Sequence, residues 1–174
     1  MLSTKLQDAI NKQINAEMWS AYLYLSMAQQ FENKGLKGIA NWFKIQFKEE
    51  QAHAEIFMNY LNSRGNRVFL QAIEEVPTEW NTPIDAYKAT LEHERLVTSL
   101  INELYALADA EHDYATRGML NWFVSEQVEE EETAQELIDR LKLIGDNGVG
   151  LYMLDQELAA RTYTVPAPLA GKAE

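Results

Sequence analysis

The chain has 174 residues, no cysteine, and a formal net charge of −12 from 27 acidic against 15 basic side chains. Its length and 47% hydrophobic content fit one soluble domain with a sizeable core, while the missing cysteines exclude disulfides, iron–sulfur clusters and thiolate zinc sites. The acidic balance, with no basic stripe, argues against nucleic acid and an anionic membrane as partners and leaves cations as the natural ones.

Four prolines and eight glycines punctuate long segments of helical period, so an all-α fold is expected. The first segment runs from about Ser3, a candidate N-cap, to the turn Glu32-Asn33-Lys34-Gly35. Its apolar stripe, Leu6, Ile10, Ile14, Ala21, Ala28 and Phe31, contains Glu17 and Tyr24. The second runs from about Leu36 to the stop Asn62-Ser63-Arg64-Gly65. Its stripe of Ile39, Phe43, Phe47, Ala54, Phe57 and Leu61 is centred on Glu50, with His53 one turn further along the same side.

The third segment opens at Thr82-Pro83-Ile84-Asp85, where a cap residue precedes a proline and a first-turn acid. Tyr87, Leu91, Thr98, Ile101 and Tyr105 surround Glu94. The fourth, from about Asp113 to Ile144 before Gly145, sets Glu126, Gln127 and Glu130 inside the arc of Phe123, Ala134, Leu137 and Leu141. A shorter fifth helix is expected over Val149 to Ala160, and residues 161–174 are expected to be a flexible tail beyond a single domain at 1–160.

Two short turns force antiparallel neighbours, whereas some 18 residues separate the second and third segments. An extended connection of that length reaches about 60 Å, more than the ~40 Å of the second helix. A four-helix bundle with one long crossover follows. The fifth helix has apolar positions Val149, Leu151, Met153, Leu154 and Leu158 that a lone bundle would not bury, which marks an interface. No apolar run nears the ~20 residues of a membrane span, and MLSTKLQDAINKQ lacks the order of a signal peptide, so a cytoplasmic location is expected.

Each polar interruption lies near its helix's midpoint, and midpoints of similar helices share one level of a bundle. Glu17, Glu50, His53, Glu94, Gln127 and Glu130 should therefore meet. One buried carboxylate in hydrocarbon costs several kcal/mol, and several together repel and must take up protons. Two divalent cations would neutralise four of them, and Glu50-x-x-His53 has the spacing that puts a carboxylate and an imidazole on one metal. Taken singly, each residue reads as a hydrogen-bonded core group. It is the convergence that points to metal.

Glu17 with Tyr24, Lys48-Glu49-Glu50-Gln51-Ala52-His53, His93-Glu94 and Ser125-Glu126-Gln127-Val128-Glu129-Glu130 together resemble the bacterial non-haem ferritins over nearly the whole chain. The resemblance implies a ferritin-like four-helix bundle with one long crossover loop and a short fifth helix. It also implies a di-iron centre: one iron on Glu17, Glu50 and His53, the other on Glu50, Glu94 and Glu130, with Glu50 bridging and Gln127 alongside as a weak ligand or polar support. A third iron site would use Glu49, Glu126, Glu129 and Glu130. Tyr24 would serve redox or hydrogen bonding beside the pair.

The function implied is iron storage with ferroxidase activity. Fe(II) would be oxidised by dioxygen or hydrogen peroxide and stored as Fe(III) mineral in a homo-oligomeric shell of 24 subunits. Haem is not expected, because Gln51 stands where bacterioferritin-like proteins carry a haem-ligating methionine and Gln127-x-x-Glu130 replaces their second Glu-x-x-His. A non-storage di-iron oxidase or peroxidase of the rubrerythrin type is the alternative, although it would lack that family's four-cysteine iron domain. Trp42 and Trp122 read as packing residues, with an electron-donor role open for Trp122. His93 and His112 receive no role.

Overall fold

A computed structural model describes residues 2–171, and among these every regular element is helical: α1 (Thr4–Asn33), α2 (Lys37–Ser63), α3 (Pro83–Ala110), α4 (Tyr114–Ile144) and α5 (Gly148–Ala159). The caps expected at Ser3 and Thr82, and a further one at Asp113, set the boundaries. Ser3 Oγ accepts from the Leu6 amide, Thr82 and Asp85 form a reciprocal capping box ahead of Pro83, and Asp113 accepts from the Thr116 amide. Gly35, at φ +78°, turns the chain between α1 and α2 in a conformation a Cβ would disfavour.

The hairpins α1–α2 and α3–α4 pack with α1 against α3, while α2 faces α4 through pairs such as Phe57–Phe123. The core is two apolar clusters rather than one. The first gathers residues such as Tyr24, Phe31, Phe43, Tyr87 and Leu137, and the second Ile10, Ile14, Phe57, Ile101 and Phe123. Each fully buried large side chain contributes roughly 1.5–3 kcal/mol, enough for the two clusters to hold a costly polar layer between them. That layer is where the six midpoint groups lie.

The 64–82 crossover runs the length of α1 on a ladder of amides and hydroxyls. Asn66 donates to Gln7, Asn11 donates to the Arg67 carbonyl and accepts from the Phe69 amide, and Asn15 donates to the Ala72 carbonyl. Further along, Ser26 donates to the Pro77 carbonyl, Gln30 accepts from the Trp80 amide and Lys34 donates to the Trp80 carbonyl. Most rungs are about one helical turn apart, and they satisfy six backbone groups of a loop that has no secondary structure of its own.

Helix α5 crosses the start of α2 at backbone contact. Leu36, the N-cap of α2, gives no side-chain cap, and the buried Asp155 of α5 supplies it by accepting from the Ile39 amide at 2.8 Å. Gly38 makes the approach possible, since a Cβ there would lie 1.6 Å from the Asp155 carbonyl oxygen. Gly38→Ala should therefore cost about 1–3 kcal/mol by overpacking and speed hydrogen exchange in α5 while α3 keeps its protection. Unchanged exchange in α5 would show that the contact is not what seats it.

Leu154 and Leu158 of α5 are buried, but Val149 (69%) and Met153 (67%) stay exposed in the single chain, as does Tyr152. Past α5, Arg161 and Tyr163 lie against α2, Pro166–Ala170 forms one turn, and Leu169 packs on the second cluster. The end of the 161–174 tail, residues 172–174, lies outside the described residues. No helix among the described residues is long and apolar enough to cross a membrane.

Candidate metal centre

Glu17 of α1 and Glu50 and His53 of α2 meet between the two core clusters, each no more than 2% exposed. One donor atom from each lies within 4.8 Å of the other two. His53 Nδ1 is 3.5 Å from a Glu50 oxygen and 3.9 Å from Glu17 Oε2. Gln13 donates to the other Glu17 oxygen at 2.7 Å, which leaves Glu17 Oε2 enclosed and without a hydrogen-bond partner. His53 Nε2 is orphaned too. Buried polar atoms normally have partners, so an enclosed carboxylate oxygen beside an imidazole nitrogen and a second carboxylate suits the binding of a cation.

The opposite helices complete the layer. Glu94 of α3 and Glu130 of α4 are buried, and each is held by neutral donors: Tyr24 and Gln127 (3.2 Å) on Glu94, Gln46 (2.8 Å) on Glu130. Gln127 also donates to the Glu94 carbonyl at 3.3 Å. These amides and the phenol fix carboxylate orientation without supplying positive charge. Burial raises all four carboxyls above the ordinary range. Repulsion adds to it: on Glu17 from Glu50, on Glu50 from Glu94 and Glu130, and on Glu130 from Glu94. Burial and then the Glu94 charge raise the Tyr24 phenol as well, so it stays a donor.

The remaining candidates form a rim on the α2–α4 side. Glu126 is half-buried, 3.9 Å from His53 Nε2, with its carboxyl raised by burial. Glu49 is partly buried and paired with Arg161, and Glu129 is exposed. The Trp122 ring stands edge-on to His53 at 5.4 Å. Thus the structure brings Glu17, Glu50, His53, Glu94, Gln127, Glu130 and Tyr24 into one layer, with Glu49, Glu126 and Glu129 outside it. A groove of about 290 Å³ between α3 and α4 reaches Gln127 from outside, beside Thr98 and Glu131.

Sequence reasoning left His93 without a partner, and the structure gives it one. Ser20 Oγ donates to the Ala16 carbonyl, so its 2.7 Å contact with His93 Nε2 makes the histidine the donor. Burial pushes the imidazole down to about 4, keeping it neutral between Trp19 and Tyr24. Gln13 and Gln46, which steer Glu17 and Glu130, were also missed. Their signal was a neutral amide one helical turn from a ligand candidate.

A model of the Ferritin family, described as a ferritin-like domain, matches residues 7–144. The chain is 47% identical over 161 residues to a bacterial non-heme ferritin of Bacteroides fragilis (strain 638R), a match covering 92% of this chain and 100% of that one. It is 40% identical over 163 residues to a bacterial non-heme ferritin of Staphylococcus epidermidis, covering 94% and 98%. Among solved structures, a closed form of the Archaeoglobus fulgidus ferritin engineered by site-directed mutagenesis superposes with a TM-score of 0.93 at 47% identity, covering 94% of this chain and 100% of that one. The open-pore ferritin of the same archaeon gives 0.91 at 47% identity, covering 93% and 100%.

Proposed function

Because the chain belongs to the ferritin family, with bacterial non-haem ferritins among its relatives, we propose that it stores iron and that its buried carboxylate layer is the ferroxidase that loads the store. The observation that carries this reading is the trio Glu17, Glu50 and His53, within 4.8 Å and enclosing an unpartnered carboxylate oxygen. Oxygen donors with a single imidazole suit Fe(II) on its way to Fe(III), and thiolate is absent.

Two Fe(II) ions are the substrate. One takes Glu17, Glu50 and His53, its neighbour Glu50, Glu94 and Glu130; each ion gives one electron and becomes Fe(III), and the two electrons with two protons convert dioxygen to hydrogen peroxide, or hydrogen peroxide to two waters. Glu50 bridges, His53 supplies the neutral donor, and the four carboxylates stabilise the higher charge of the product. The protons that burial keeps on these carboxyls leave as Fe(II) binds. Gln127, Gln46 and Gln13 hold the carboxylates in place. Tyr24, donating to Glu94, orients that carboxylate toward the second ion. Glu49, Glu126 and Glu129 with Glu130 form a third iron station on the way to the mineral.

Storage requires a cavity, so the exposed Val149, Tyr152 and Met153 of α5 are read as contacts between copies in a shell of 24 identical chains. Aerobic loading with Fe(II), followed by assembled mass and iron content, tests the whole reading. The expected result is a particle of two dozen 20.0 kDa chains that retains far more than three iron atoms per chain. A small oligomer that turns over Fe(II) without keeping mineral would replace storage with the non-storage oxidase of the rubrerythrin type.

A further inference from the structure

The carboxylates proposed for the third iron station already have a cation beside them. Arg161, just past α5, donates from one guanidinium nitrogen to Glu49 at 2.8 Å. Its other terminal nitrogen is 3.3 Å from the Trp42 carbonyl, and the guanidinium lies over the Trp42 ring at 5.0 Å. The backbone here is held independently of that pair, because Asn41 donates to the carbonyls of Leu158 at 3.1 Å and Arg161 at 3.0 Å. Moving the guanidinium off Glu49 therefore does not require the backbone to move. Glu49 in turn adds repulsion to Glu50, Glu126 and Glu130, which places its charge among the metal-binding carboxylates.

We propose that Arg161 is a positioning residue that holds Glu49 as an ion pair in the iron-free protein and has to release it before the third iron station can fill. The proposal rests on the reading of Glu49, Glu126, Glu129 and Glu130 as that station and concerns its regulation. A guanidinium and a divalent cation compete for one carboxylate, so third-station affinity is lowered by the strength of the pair. Both partners are partly exposed, Arg161 by 27% and Glu49 by 17%, so solvent screens the pair in part and an incoming cation can compete for the carboxylate. The consequence is order. The di-iron pair fills first, at sites no side-chain cation blocks, and Glu49 is released only when iron is plentiful.

Anaerobic calorimetric titration of Fe(II) into the assembled full-length protein tests this in the wild type, Arg161→Gln, Glu49→Gln and the double variant. Arg161→Gln should tighten the weakest class of Fe(II) sites about fivefold and leave the tighter pair unchanged. The gain should vanish in the Glu49→Gln background, since Arg161 acts through that carboxylate, and Arg161→Lys should fall between the wild type and Arg161→Gln. An unchanged weak class in Arg161→Gln, an equal gain in the double variant, or a change in all classes alike overturns the inference. If the wild type and Glu49→Gln bind the same number of Fe(II) ions per chain with the same affinities, the third station itself fails and takes this inference with it.

Discussion

Glu50→Gln should leave a folded, assembled protein whose initial rate of Fe(II) oxidation, followed by stopped-flow absorbance of Fe(III), is at least ~100-fold below wild type, about 2.7 kcal/mol of lost transition-state stabilisation. Glu50 is the carboxylate that reaches both halves of the layer: its charge raises Glu17 on one side, and it feels the charges of Glu94 and Glu130 on the other. Removing that anion would therefore separate the two proposed metal positions, whereas removing any terminal carboxylate would leave one of them whole. Glutamine keeps the shape and one acceptor oxygen but cannot bridge two cations with a full negative charge.

Glu129→Ala is the matched contrast. Glu129 is exposed and outside the buried layer, so the initial rate should stay within about twofold of wild type while later mineral growth slows. Equal losses of initial rate in the two variants would dissolve the distinction between an oxidising pair and a third station. Retention of the fast phase in Glu50→Gln would remove the bridge.

The contrast between these two residues was legible in the sequence, because a carboxylate inside an apolar stripe differs from one on a polar face. Segment ends were legible for the same local reason: Ser3, Thr82-Pro83 and Asp113 act within a turn of themselves. What the sequence hid lies across the chain. Asn11 and Gln13 look like part of a solvated face but are buried, one under the crossover and the other on Glu17. Asp155 caps a helix more than a hundred residues earlier, and the only local trace of this was the lack of a capping residue at Leu36. Arg161 reaches Glu49 from a segment whose prolines and alanines announce no contact at all.

The energetic anomaly of the buried layer should reappear as an inverted pH dependence. An ordinary carboxyl titrates near 4.5, but burial raises Glu17, Glu50 and Glu94 above that value and pushes Glu130 up to about 8. Below pH 4.5 both folded and unfolded chains hold these protons and the groups are neutral toward stability. As the pH rises the unfolded chain releases them first, so the folded state binds more protons and loses stability, from 4.5 upward through neutrality. Each unit of upward shift costs about 1.4 kcal/mol once the group is forced to ionise.

The metal-free protein should therefore melt roughly 5–10 °C lower at pH 8 than at pH 5.5. Fe(II) added without oxygen should abolish or reverse the decline, because the cations bind the ionised carboxylates of the folded state alone. Glu50→Gln should raise the melting temperature of the metal-free protein at pH 8 and flatten its slope, the opposite of its effect on oxidation. Exposed Glu132→Gln changes the net charge of −12 by the same amount and should leave the slope intact, which separates the buried layer from general self-repulsion. A metal-free protein that gains stability between pH 5.5 and 8, or a Glu50→Gln slope equal to that of wild type, would mean that the layer carries no strain for iron to relieve.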